Sequence, residues 1–308
     1  MSRIHEALRR AEQERAASQG PALRNLIGLV PEPEPSVFED TTISMGVSAA
    51  NVEVPPVIEP FSFEMLLSRC PQTDWKPDLT TMLFLNGNDQ SQGAEQFRTL
   101  RSRLYHERDR LGLRALLVTS ALPKEGRSFT AANLAQVMAR QPGRSALLID
   151  ADLRSPALHR MLGTEAGPGL ADYLRGMNDE FSIMQHGPMK NLFFIPSGNS
   201  IEEPAELVGN GRLKVLLQRV ESLFDWVIID SPSAVAVSDA SVLAKECDGV
   251  LLVVRSNVTP SDVARRARLE FSDESLVGIV LNGFGNDPDL TSSLMKSFAG
   301  KRENRTSV

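Results

Sequence analysis

Cysteine is nearly absent from this chain of 308 residues: Cys70 and Cys247 lie far apart and outside any C-x-x-C pair. That excludes a disulfide framework and a cysteine-based zinc site, and it fits a reducing compartment. The four histidines, His5, His106, His159 and His186, show no metal-ligand spacing. Only two tyrosines occur, Tyr105 and Tyr173. No apolar run approaches the roughly 18 residues that span a bilayer. The opening Met-Ser-Arg-Ile-His-Glu lacks the apolar core of a signal peptide. Basic excess is missing too: a net charge of -6 argues against a nucleic-acid partner held by a basic face. The expectation is a cytoplasmic protein with no transmembrane segment of its own and no nucleic-acid partner. If it acts at a membrane, it is recruited to the inner face.

What is present divides the chain into four parts. Residues 1–19 carry one narrow apolar stripe, Ile4, Ala7, Leu8 and Ala11, at helical spacing. This predicts a short amphipathic helix that either docks on its own domain or on a partner. Residues 20–74 are rich in proline and glutamate up to about residue 60 and read as a largely disordered linker. From 75 to 289, apolar runs alternate with helical patterns. Strands are predicted at 81–85, 115–119, 145–149, 192–195, 226–229, 250–254 and 277–281. These runs are rich in Val, Ile and Leu with little polar alternation, as strands covered on both faces read. The pattern predicts an α/β fold with a doubly wound, mostly parallel sheet. In residues 290–308, Leu290, Leu294, Met295 and Phe298 share a helix face next to basic residues. That segment either packs on the domain or meets an anionic membrane surface.

The chemistry is concentrated after three strands. Ala115-Leu-Leu-Val-Thr-Ser runs into a turn, Ala-Leu-Pro123-Lys124-Glu125-Gly126, and a helix opens at Arg127-Ser128-Phe129. Strand, turn and helix are the setting of a phosphate-binding P-loop: backbone N–H groups and the helix N-terminus form an anion cradle. Ser128 stands where such a loop's hydroxyl holds Mg²⁺. Asp150-Ala-Asp152-Leu-Arg154 follows the next strand, and Asp230-Ser-Pro232 follows another. Paired carboxylates at a strand's carboxyl end are costly to bury unpartnered and make sense facing a metal or its water shell. The candidate metal ligands are therefore Ser128, Asp150, Asp152 and Asp230.

These segments resemble the bacterial tyrosine kinases of exopolysaccharide and capsule synthesis, over roughly residues 90–284. The loop, with Ser120, Pro123, Glu125, Gly126 and Ser128, is similar to that family's S-x-x-P-G-E-G-K-S. Asp150, Asp152 and Arg154 look like its second Walker A box, and Asp230 like its Walker B carboxylate. Glu95-Gln-Phe-Arg98-Thr-Leu-Arg101 resembles the family's E-x-x-R-x-x-R helix at the subunit interface. Taken alone, those charges read as a solvated face opposite Phe97, Leu100 and Leu104. The resemblance implies a P-loop ATPase of MinD/ParA-like fold that binds ATP or ADP with Mg²⁺ and autophosphorylates on tyrosine. Pro123 to Phe129 and Arg154 would contact nucleotide, and Arg127, Asp150, Asp152 and Asp230 would act in catalysis. It also implies a homo-oligomer and a membrane-embedded polysaccharide chain-length regulator as activator.

Three departures qualify the resemblance. Arg127 replaces the loop lysine, putting a planar fork where a compact ammonium is expected. Lys124 replaces a glycine, which is strained if the turn requires positive φ there. The C-terminal tyrosine cluster is absent. An active or weakened kinase, and a pseudokinase serving as a nucleotide-dependent scaffold, both remain open. A MinD/ParA-type positioning ATPase is a less favoured third reading, because Leu122 stands where those relatives carry their signature lysine.

Overall fold

A computed structural model describes residues 62–85, 90–198 and 204–283. The sequence-predicted N-terminal helix, the proline-rich stretch and the 290–308 segment lie outside the described residues. Seven strands form one sheet: β1 Ala115–Ser120, β2 Ala146–Asp150, β3 Gln185–His186, β4 Leu192–Ile195, β5 Trp226–Asp230, β6 Gly249–Arg255 and β7 Leu276–Asn282. Their order is β3-β4-β2-β5-β1-β6-β7. Only β3 runs antiparallel to its neighbour, β4; the other pairings are parallel.

Alternation along the strands divides the core in two. Leu117, Leu147, Ile149, Val227 and Ile229 point into one cluster, and Leu116, Val118, Leu148 and Ile228 into the other. All of these side chains are sealed from solvent, so the apolar strand sequences reflect burial on both faces. The doubly wound parallel sheet expected from the sequence is the fold observed. β1 lies between β5 and β6. The chain leaves β1 toward β2 on the β5 side and later crosses to β6 on the other. The loop after β1 therefore opens at a topological switch point, where such sheets receive ligands.

Three helices position the site. α1, Phe63–Arg69, is capped by Ser62, whose side chain accepts from Met65 N. Its Leu66 is fully buried, and Phe63 packs edge-on against Phe193 at 5.5 Å. This ordered helix falls inside the stretch assigned to the linker, whose acidic and proline-rich composition ends before it. α2, Gln92–Leu111, is capped by Ser91 and closed by Gly112 at φ 71°. It buries Phe97 and Leu104 with Leu100 packed beside them, the stripe expected from the sequence. α3, Arg127–Ala139, is buried throughout from Thr130 to Ala139.

The predicted strand at 81–85 is not a strand. Side-chain amides of α3 take its backbone instead: Leu83 N–H donates to Asn133 Oδ1 at 2.8 Å and Phe84 N–H to Gln136 Oε1 at 3.3 Å. Asn133 Nδ2 returns a bond to Thr81 O at 2.8 Å. Met82 and Phe84 are buried against α3, so the apolar run is explained by packing on a helix rather than by a sheet. The seventh strand is the two-residue β3, too short to show any period in sequence.

Candidate functional site

The loop between β1 and α3 is held in shape from several sides. Gly126 has φ 91°, and a Cβ there would overlap the Asn282 side-chain amide; only glycine fits. Asn282, at the end of β7, donates through Nδ2 to Glu125 O at 2.8 Å. Glu125 is buried and folds inward: its Oε2 accepts from Leu122 N at 2.9 Å, and its Oε1 from the Thr259 hydroxyl. Lys124 has φ 67°, so the strain foreseen for that position is real and costs about 1–2 kcal/mol. Left-handed residues of this kind concentrate at ligand-binding loops. No side chain caps the first turn of α3, and the N–H groups there are available to an anion.

Two carboxylates close the other side. Asp150 and Asp230 are register partners at the carboxyl ends of β2 and β5. Burial pushes both upward, each to about 7, and the Asp150 charge adds to the rise at Asp230. Asp150 is partly compensated by backbone N–H groups of Leu158 at 3.1 Å, Ala157 at 3.2 Å and Asp152 at 3.3 Å. Asp230 has no such help. Among the described residues, neither of its buried oxygens has a hydrogen-bond partner. The Ser128 hydroxyl faces it closely enough to favour its charged form, though short of hydrogen-bond geometry. Arg127 bridges the group: it forms an ion pair with Asp152, and its Nε lies 3.6 Å from Asp230 Oδ1. Asp152 Oδ1 also accepts from Ser155 N at 3.0 Å.

Ser128, Arg127, Asp150, Asp152 and Asp230 thus share one end of the sheet. Among the described residues there is no cluster of three or more His, Cys, Asp or Glu able to hold a metal by themselves. Asp152 is engaged by Arg127, and Asp150 by backbone N–H groups. The orphaned oxygens of Asp230 beside Ser128 do fit Mg²⁺, which is bound through one or two carboxylates plus phosphate and water.

Arg154 is clamped by Asp239 through Nε at 2.7 Å and Nη2 at 3.0 Å. The Phe129 ring packs against Phe97 at 5.8 Å, leaving its backbone rather than its ring for a ligand. Pro123 and Lys124 are exposed on the loop. On α2, Glu95 pairs with Arg98 at 2.9 Å, and Arg101 donates to Val137 O of α3 at 3.0 Å. Sequence reasoning missed Asn282 and Thr259. Asn282 ends a strand at the same edge as Asp150 and Asp230, and that position was the available signal.

No family model matches the chain. It is 36% identical over 195 residues to tyrosine-protein kinase YwqD of Bacillus subtilis (strain 168), covering 63% of this chain and 82% of that one. The chain belongs to the bacterial tyrosine-protein kinases. A putative tyrosine-protein kinase EpsB of Ralstonia solanacearum is 34% identical over 197 residues, but there the chain spans only 26% of the relative's length. Among solved structures, the kinase domain of Escherichia coli tyrosine kinase ETK matches with a TM-score of 0.62 and 30% identity, over 66% of this chain and 79% of that one. A ParA family ATPase from Chlorobium tepidum, at 22% identity, a TM-score of 0.50, and 61% and 81% coverage, shares the fold alone. In this tyrosine-kinase chain the loop cation is Arg127, and its partner is Asp152.

Proposed function

We propose that the chain is a kinase-like ATPase that binds ATP or ADP with Mg²⁺ and serves exopolysaccharide or capsule synthesis. The observation that carries the reading is the buried Asp230 beside Ser128, whose oxygens have no hydrogen-bond partner among the described residues, at the mouth of a loop whose α3 N-terminus is uncapped. Ser128 and Asp230 would hold Mg²⁺, which when bound offsets phosphate charge. The first-turn N–H groups of α3 would hold phosphate oxygens. Asp150 is paired in register with Asp230, and Asp150 or Asp152 would accept a proton from an attacking hydroxyl. Arg127 neutralises Asp152 and Asp230; to meet phosphate it must give up the Asp152 pair.

That pairing supports a second reading, a nucleotide-dependent scaffold with little turnover. Calorimetry with Mg²⁺-ATP, followed by hydrolysis and phosphotyrosine assays, separates the two. Turnover lost in Asp150→Ala supports the kinase; tight binding without turnover supports the scaffold; no binding refutes both. A homo-oligomer formed through Glu95, Arg98 and Arg101, and an activator that is a membrane-embedded chain-length regulator, belong to the same proposal and rest on the family resemblance. So does action at the inner face of the membrane. Among the described residues no helix is long and apolar enough to cross one.

A further inference from the structure

The segments that follow β2 and β5 leave the sheet at the same end, and one ion pair ties them together. Arg154 Nε donates to Asp239 Oδ2 at 2.7 Å, and Nη2 to Oδ1 at 3.0 Å. Each nitrogen meets its own oxygen, a fork that fixes orientation as well as distance. The two ends differ in setting: the Asp239 side chain is 2% exposed and that of Arg154 40%. Among the described residues no other cation pairs with Asp239. A carboxylate this buried is costly to leave alone, so the arginine is held firmly.

Asp239 is the fixed end. It opens the helix Asp239–Ala244, whose Ala240 and Leu243 are sealed in the core. The segment before that helix is tied to β1: Ser231 N–H donates to Val118 O at 3.1 Å, Ala234 N–H to Ser120 O at 2.8 Å, and the Thr119 hydroxyl to Pro232 O at 2.8 Å. Arg154 is on the movable end, the turn after β2. Asp150 and Asp152 hold that turn by its backbone, accepting from the N–H groups of Ala157 and Leu158, and of Ser155. Leu153 is buried beneath it, while Arg154 and Ser155 are exposed. Arg154 thus stands in the chain between Asp152 and all three N–H donors, and it fastens their turn to a helix rooted in the core.

We infer that Arg154 and Asp239 are positioning residues: their pair holds the turn that carries Asp150 and Asp152, and Arg154 acts through that turn and not by binding phosphate. The inference rests on the nucleotide-site reading above and gives Arg154 a different task from the nucleotide contact that the family resemblance implies. A misplacement of about 1 Å at a reacting group costs about 100-fold in rate. Ser128, Asp230 and the first turn of α3 lie outside the turn. Loosening it therefore costs turnover before it costs nucleotide affinity. Because the two side chains act as one unit, losing either is equivalent to losing both.

The test compares the full chain with Asp239→Asn, Arg154→Gln and the two combined. Asp239→Asn preserves side-chain shape and frees only a half-exposed cation, whereas Arg154→Gln strands a buried charge; the first variant and the pair together keep the test alive if the second fails to fold. Amide hydrogen exchange is read on the nucleotide-free proteins, the Kd for Mg²⁺-ADP by calorimetry, and kcat and KM with ATP. Exchange at Ser155, Ala157 and Leu158 is expected to quicken by about 10-fold or more as the turn opens locally. With it, kcat should fall by about 10-fold while KM and the Mg²⁺-ADP Kd stay within about 2-fold, and the combined variant should match Asp239→Asn. Unchanged exchange in the turn overturns the inference, as does faster exchange with unchanged kcat, which would leave the pair a structural tie only. Weaker Mg²⁺-ADP binding in both variants that lack Arg154, with Asp239→Asn at the parent's affinity, overturns it in favour of a direct phosphate contact. If the parent binds nucleotide without turnover, the kinase reading fails, and exchange and affinity decide the inference. A parent that binds no nucleotide sinks the site reading and this inference with it.

Discussion

Arg127 and Asp152 form an ion pair across the mouth of the phosphate loop, with side chains only 12% and 3% exposed. The same guanidinium approaches Asp230 at 3.6 Å. One cation therefore compensates two carboxylates that would otherwise stand buried beside a third, Asp150. In a metal-free protein this neutralisation keeps the strand ends from repelling one another.

Arg127→Ala is expected to lower folding stability by about 3 kcal/mol in the absence of metal, because removing one partner leaves a buried charge uncompensated. Urea unfolding of the two proteins in chelator checks this. Arg127→Lys keeps the charge but, as a compact ammonium, bridges less well. We expect it to raise ATP turnover by about 10-fold or more, measured as steady-state phosphate release. Equal turnover would show that the arginine is not the brake.

The strand-end carboxylates set a pH dependence. The folded-state values of Asp150 and Asp230 are raised from 3.8 to about 7, so between those limits the native state binds more protons than the unfolded chain. Their contribution to stability is complete below about pH 4 and is lost as pH rises through 7. Thermal melts of metal- and nucleotide-free protein should accordingly fall in Tm from pH 5 to pH 8. Asp230→Asn, which cannot ionise, should flatten that slope. A variant slope as steep as the parent's would contradict the assignment.

Lys124 occupies left-handed backbone at φ 67°. Lys124→Gly should stabilise the fold by about 1 kcal/mol by removing that strain. Lys124→Ala keeps the strain and loses the amine. If the amine helps hold phosphate, both variants should bind ATP more weakly while only the glycine variant gains stability. Unchanged affinity in both would assign the lysine no role in binding.

Asn282 ties β7 to the loop through Glu125 O. Asn282→Ala removes a partner worth about 1 kcal/mol and frees the space that excludes a side chain at Gly126. Nucleotide affinity should fall by about 5-fold, since the loop must then be ordered by the ligand. Titration of a fluorescent ATP analogue measures this, and an unchanged Kd would make the contact incidental.

Much of this was legible in the chain itself. Ala115–Ser120, Trp226–Asp230 and the other inner strands are continuous apolar runs because both faces of the sheet are covered. Strand-end Asp150 and Asp230 stood out because a carboxylate closing such a run has few structural excuses. The stretch 81–85 misled because burial of Met82 and Phe84 on a helix leaves the same apolar signature as burial in a sheet. Phe63–Arg69 was hidden by its closeness to the proline-rich stretch.

Local order along the chain was enough to determine the alternating architecture, the strand-turn-helix around Gly126 and the strand-end positions of Asp150 and Asp230, since each depends on neighbours within one turn or strand. Tertiary structure alone decided that Arg127 reaches Asp152, that Arg154 is spent on Asp239, and that Asn282 seals Gly126. Those outcomes depend on which strand ends and helix faces meet across the sheet, between residues 25 to 157 positions apart, and no local pattern encodes a meeting at that separation.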